Sequence, residues 1–288
     1  MKAEETTFRT IVEVKKWTCP MRKEQRFVLL GSCFAQNIGG IFQNYGFDVV
    51  TNPFGAAYNP ESVAIQIKQA LQGEAELPLF QTNGEWHCWL TNTLFGDTEE
   101  ARFRHALQDK FRAFGDALRQ ADFIFITLGT NVCYSLRENG LTVTNCHKQP
   151  DRLFEETALD VGQCVGILNA TVELLQRHCP SAKIVFTVSP FRYRKYGYHG
   201  SQLAKATLLL AVNELCGRFP DSVLYFPAYE LVLDDLRDYR FYAEDMLHPS
   251  PAAVGYIWQR LVENCMDAEM QKYIWESPHK LLSGGTSI

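Results

Sequence analysis

The chain has 288 residues, 46% of them hydrophobic and 21% charged, with a formal net charge of −5. That length and balance suit one large domain of ordinary soluble globular composition. They hold no basic stripe of the kind a nucleic-acid partner needs, and no apolar run approaches the ~18 residues of a membrane span.

Phe27–Leu30 is an apolar run ending at Gly31, and it predicts a buried strand. A helical pattern follows to about Tyr45, then Phe47–Val50 predicts a second short strand. Ser62–Leu71 repeats apolar residues at helical spacing after Pro60, and Glu99–Leu118 reads as a charged amphipathic helix. Phe123–Leu128 is the clearest strand. Asp160–Arg177 predicts a helix, Ile184–Val188 a strand, Leu203–Phe219 a helix, Val223–Phe226 a strand and Ala252–Met266 a closing helix.

Strands apolar on both faces and separated by helices indicate a mainly parallel sheet covered on both sides. The expected fold is therefore α/β: a three-layer α/β/α sandwich with a five-stranded, mainly parallel sheet in flavodoxin-like order. Glu85–Trp89 and Leu141–Thr144 break the alternation and predict inserted hairpin strands that wall or cover a pocket. One domain is expected to about residue 275, with a weakly structured tail from Glu276 to Ile288.

Met1–Arg9 is polar and lacks the apolar core of an export signal. The nine cysteines include no Cys-x-x-Cys pair. The expectation is a cytoplasmic protein with reduced thiols, with Cys164, Cys216 and Cys265 as core residues.

Ligands in such sheets bind beyond the carboxyl ends of the strands, so the residues after each strand carry the functional reading. Gly31-Ser32-Cys33 ends the first strand and opens a helix. Backbone N–H groups and the helix dipole favour a nucleophile there, although serine at that place is also a common helix cap. Asp245-Met246-Leu247-His248 precedes the last helix. Its spacing lets the carboxylate meet the imidazole Nδ1, orienting the ring as a base. Asn131 follows the clearest strand and Gly55 the second; both are candidate oxyanion donors. Each also suits an ordinary strand-to-loop turn.

These residues resemble the SGNH (GDSL-like) hydrolase superfamily, and more closely its GSCFA branch, over roughly Phe27 to Arg260. The quoted motifs are Gly31-Ser32-Cys33-Phe34-Ala35, Asn52-Pro53-Phe54-Gly55, Tyr58-Asn59-Pro60, Cys146-His147-Lys148-Gln149-Pro150 and Asp245–His248. The resemblance implies the same sandwich and hydrolysis or transfer of an ester-linked acyl group. It carries no substrate with it. Aligned at Gly31, Ser32 takes the slot of the superfamily's Asp and Cys33 that of its nucleophilic Ser, so either is the candidate nucleophile. Val132 stands where the third block has an Asp, which weakens the match at Asn131.

The resemblance also makes Cys146 and His147 site-lining candidates. A metal there lacks the partner cluster that zinc needs, so neither a metal nor another cofactor is expected. Phe191-Arg192-Tyr193 follows the fourth strand, and Arg192 is a candidate for binding an anionic or sugar-bearing substrate. Trp86–Trp89 reads as aromatic packing, and His199 is a rival base with no carboxylate beside it.

The leading expectation is an esterase or acyltransferase acting on a small-molecule or glycan-linked acyl group, with Ser32 or Cys33, Asp245 and His248 as its catalytic residues. The alternative is a non-catalytic module that binds a carbohydrate or acyl ligand on the same fold. A thiol redox role for Cys33 is disfavoured because it has no resolving Cys-x-x-Cys partner.

Overall fold

The computed structural model describes residues 10–277 and contains a sheet of five parallel strands. These are β1 (Arg26–Gly31), β2 (Asp48–Thr51), β3 (Phe123–Leu128), β4 (Lys183–Val188) and β5 (Val223–Tyr225), in spatial order 2-1-3-4-5. This is the flavodoxin-like order that the alternation of apolar runs and helices predicts.

The strands alternate their side chains between two cores. Val28 and Leu30 of β1, with Ile124 and Ile126 of β3, pack beneath α2 (Pro60–Leu71), α3 (Glu100–Gln120), α4 (Val161–His178) and α5 (Gly197–Arg218). Phe27, Leu29, Phe123 and Phe125 face the other way, beneath α1 (Cys33–Asn44), α6 (Pro251–Cys265) and α7 (Ala268–Trp275). On that face Phe42 lies 4.8 Å from Phe27 and 5.1 Å from Trp258, ring centre to ring centre. Cys164 and Cys265 are buried and Cys216 is half-buried. No helix among the described residues is long and apolar enough to cross a membrane.

Helix starts follow the sequence where a cap is present. Asn59 accepts from the Ser62 N–H and Pro60 opens α2; Asp160 and Gln163 form a reciprocal capping box for α4; Ser250 caps α6 ahead of Pro251. The expected start of α5 at Leu203 is too late. The helix begins at Gly197, because Gly197-Tyr198-His199-Gly200 is helical despite two glycines and no apolar stripe. Helix α7 was not expected at all. The predicted tail beyond Ser277 lies outside the described residues.

The breaks in the alternation hold two insertions. After α2, Leu79–Thr82 pairs antiparallel with Glu85–Cys88. After β3, Val132–Leu136 is the centre of a three-stranded antiparallel sheet with Thr142–Val143 and Phe154–Ala158. The insertions lock together: the Thr144 N–H donates to the Trp89 carbonyl at 2.9 Å, and the Trp89 ring lies 5.8 Å from that of Phe154. The strand order reverses between β1 and β3, so a crevice is expected beyond their carboxyl ends.

Candidate active site

The turn after β1 is built around Gly31. Its φ is +121°, and a Cβ there would lie 2.1 Å from the Thr127 carbonyl oxygen, so only glycine fits. Asn52, itself at φ +40°, braces the turn by accepting the Gly31 N–H on Oδ1 at 2.9 Å. The chain then enters α1 with Ser32 as cap.

Ser32 and Cys33 are held in different ways. Ser32 is 2% exposed, and its Oγ accepts the Phe34 N–H at 3.3 Å. Its own N–H donates to the Thr127 carbonyl at 3.0 Å. Cys33 is half-buried at the first helical position, where the N–H has no partner within the helix. Its Sγ lies 3.4 Å from the Tyr58 hydroxyl. Burial first, and the neighbouring thiol second, push the Tyr58 phenol above its usual range, so it keeps its proton at neutral pH.

Tyr58 is fixed from behind. Its carbonyl receives the N–H groups of Gly129 and Thr130 at 2.7 and 3.0 Å. Gly129 lies directly beside the cap: a Cβ on it would stand 3.6 Å from the Ser32 Cβ and 3.0 Å from the Tyr193 hydroxyl.

The loop before α6 carries Asp245 and His248. His248 Nδ1–H donates to Asp245 Oδ2 at 2.5 Å, leaving Nε2 free of the carboxylate. Asp245 Oδ1 also accepts the N–H groups of Leu247 and His248 at 2.8 and 3.0 Å. The imidazole bond first, and these backbone bonds after it, hold the carboxyl down at about 2. Met246, at φ +58°, gives the loop the bend that brings the carboxylate back over the ring. Both side chains remain over 40% exposed (Asp245 42%, His248 45%).

Aromatic rings link the two halves. Phe191 lies 4.4 Å from the His248 ring and 4.8 Å from the Tyr193 ring. A cavity of about 420 Å³ is lined by Tyr58, Thr130, Cys146, Phe191, Tyr193 and Leu247, among others. The insertion after β3 supplies one wall. At its rim Lys195 Nζ donates to Glu156 at 2.6 Å and to the Tyr134 hydroxyl at 2.5 Å, fastening the loop after β4 to that insertion.

Three expected roles meet different partners here. The Asn131 amide donates to the Leu159 carbonyl at 2.7 Å, tying the turn after β3 to the end of the insertion. The Gly55 N–H donates to the Asn52 carbonyl at 2.9 Å, closing its own turn. The Gly55 N–H is thus spent on a backbone carbonyl, as is one of the two N–H groups of the Asn131 amide. Cys146 lines the cavity, but His147 is buried in the wall, with Nε2–H donating to the Cys88 carbonyl at 2.9 Å. Burial pushes its imidazole down to about 4. Arg192 anchors the base loop: its N–H donates to the Leu247 carbonyl and its Nη1 to the Met246 carbonyl, both at 3.1 Å.

Two residues in this region were not anticipated. Tyr58 lies in the quoted Tyr-Asn-Pro motif, but no local spacing rule singles out a tyrosine. Lys205 had a legible signal, being a lone charge on the stripe of α5 that continues through Leu208, Val212 and Leu215. It is 1% exposed, and Nζ donates to the carbonyls of Gly129 and Ser189 at 2.6 and 2.7 Å. Burial pushes its ammonium down to about 7. Among the described residues, no three His, Cys, Asp or Glu side chains gather as metal ligands would.

A model described as GSCFA family matches residues 26–261. Among solved structures, the chain is similar to a "putative platelet activating factor" from Streptococcus pneumonia at 12% identity and a TM-score of 0.45, covering 83% of each chain. It is also similar to an acetyl xylan esterase from the rumen bacterium Butyrivibrio proteoclasticus at 12% identity and a TM-score of 0.44, covering 90% of this chain and 66% of that one. No curated protein matches it.

Proposed function

The chain belongs to the GSCFA family; from that premise and the geometry of the turn, we propose that it is an SGNH-type esterase or acyltransferase with Cys33 as its nucleophile. The observation that carries this choice is how the turn uses its two adjacent residues. Ser32 is buried and spends its hydroxyl as the α1 cap, whereas Cys33 is half-buried with its thiol on the Tyr58 hydroxyl.

In this reading Cys33 Sγ attacks the carbonyl carbon of a small-molecule or glycan-linked acyl ester. Nδ1 of His248 is held by Asp245, so Nε2 takes the thiol proton and passes it to the departing alcohol oxygen. The acyl group then sits on sulfur as a thioester. Water opens it to a carboxylic acid, or a second alcohol accepts it as a new ester; either step restores the thiol. The oxyanion of each tetrahedral intermediate is met by the Cys33 N–H and the Tyr58 hydroxyl, which replace Asn131 and Gly55 in that task.

Turnover of short acyl esters by single variants tests the assignment. Cys33→Ala and His248→Ala abolish it. Ser32→Ala keeps most of it but loses about 0.5–2 kcal/mol of stability with the cap. Loss of turnover in Ser32→Ala with survival in Cys33→Ala would overturn the choice of nucleophile. Genuine turnover surviving His248→Ala would overturn the mechanism.

A further inference from the structure

The protein has a second cavity, of about 360 Å³. Phe191 lines both cavities. The second has aromatic walls, formed by Tyr198, Tyr229, Tyr239 and Tyr242, and two basic residues, Arg192 and Lys205.

Neither basic residue has a carboxylate partner among the described residues. Lys205 gives two N–H bonds to backbone carbonyls, and an ammonium has three to give. The rings of Tyr193 and Tyr229 lie 5.5 and 5.9 Å from its Nζ. A buried cation without an opposite charge is costly, and such charges are ordinarily paired. Arg192 is held among rings: its guanidinium carbon lies 4.4 Å from the Tyr198 ring centre and 5.3 Å from that of Tyr242. Only its Nη1 is spent, on the Met246 carbonyl. The other charges lining the cavity already have partners. Arg237 pairs with Asp234, and Asp238 pairs with Arg240. The unmatched charge of the cavity is therefore positive, set among tyrosine faces.

We propose that this cavity is a binding subsite for a small organic anion, a carboxylate or a phosphate ester, whose acidic group is met by Arg192 and Lys205 and whose body packs on the tyrosine rings. Its size suits a small ligand. It is joined to the base loop, since Arg192 bonds the carbonyls of both Met246 and Leu247. The role of the anion as part of a substrate rests on the acyl-transfer reading above; its binding does not.

Binding is measured by calorimetric titration of the full chain carrying Cys33→Ala, so that no turnover intervenes. The probes are inorganic phosphate and succinate, each at constant ionic strength set with chloride. The expected result is saturable one-to-one binding of at least one probe. Arg192→Gln and Lys205→Met each weaken it by about 10-fold or more, as loss of a hydrogen bond to a charged group does. Arg112→Gln, on exposed α3, leaves it unchanged. Binding of phosphate alone assigns a phosphate ester, and binding of succinate alone a carboxylate. If Lys205→Met fails to fold, Arg192→Gln decides. Binding of neither probe, or undiminished binding in Arg192→Gln, overturns the proposal, whatever the ester assays show.

Discussion

Replacing Tyr58 by phenylalanine removes one oxygen atom and leaves the loop its supports. The Tyr58 carbonyl still receives the Gly129 and Thr130 N–H groups, and Asn59 still caps α2. What disappears is the 3.4 Å contact between the phenol and Cys33 Sγ. Because burial keeps that phenol protonated at neutral pH, it is a donor to a thiolate or to an oxyanion formed beside it. A hydrogen bond to a charged group contributes about 1.5–3 kcal/mol. At about 1.36 kcal/mol per decade, its loss slows the reaction roughly 10- to 150-fold. Two rates are read at one neutral pH. One is kcat/KM on a short acyl ester; the other is alkylation of Cys33 by iodoacetamide. The second is followed by mass spectrometry of the Cys33 peptide, because all nine cysteines are free. A folded Tyr58→Phe protein that alkylates and turns over at the wild-type rate would refute the assignment of Tyr58. A drop in turnover alone would keep Tyr58 at the oxyanion and remove it from thiol activation.

Asn131→Ala leaves the buried Leu159 carbonyl without its donor, so stability falls by about 1–3 kcal/mol in urea unfolding while kcat is largely kept. A large loss of kcat at unchanged stability would return Asn131 to the oxyanion. His147 gives an acid-linked term. Its imidazole is pushed from 6.5 in the unfolded chain to about 4 in the fold, so its neutral form is the one the fold accepts. The stability it allows is present above about 6.5 and is lost as pH falls from there through about 4. Between pH 7.5 and pH 5 this amounts to about 2 kcal/mol. His147→Gln removes that part of the pH dependence of urea unfolding; an identical slope in both proteins would refute it.

Much of the scaffold was legible because a parallel strand covered on both faces must be apolar throughout. Phe123–Leu128 is buried at every position and was read to its observed ends. The pairing of Asp245 with His248 was also legible, because its partners are three residues apart and share one loop. The choice within Ser32-Cys33 was not. Both side chains suit a helix start, and the contact that sets them apart, between Cys33 Sγ and the Tyr58 hydroxyl, comes from a residue distant in sequence and unremarkable in type. The hydrogen bond of Asn131 was not legible for a similar reason: its carbonyl partner lies 28 residues on, across the whole three-stranded insertion. That insertion was only half visible. Phe154–Ala158 is mostly exposed, so its residues carry little of the apolar alternation by which a strand is recognised.

The two insertions hang outside the parallel sheet and meet each other through Trp89, Thr144, His147 and Cys88. The second of them shapes the cavity, while the turn at Gly31 and the loop at Asp245 are anchored on the sheet and α6. Shape and reactivity are therefore separable in this chain. Exchange of Cys146, half-buried on the cavity wall, is expected to recast the mould without disturbing the parts that would do the chemistry.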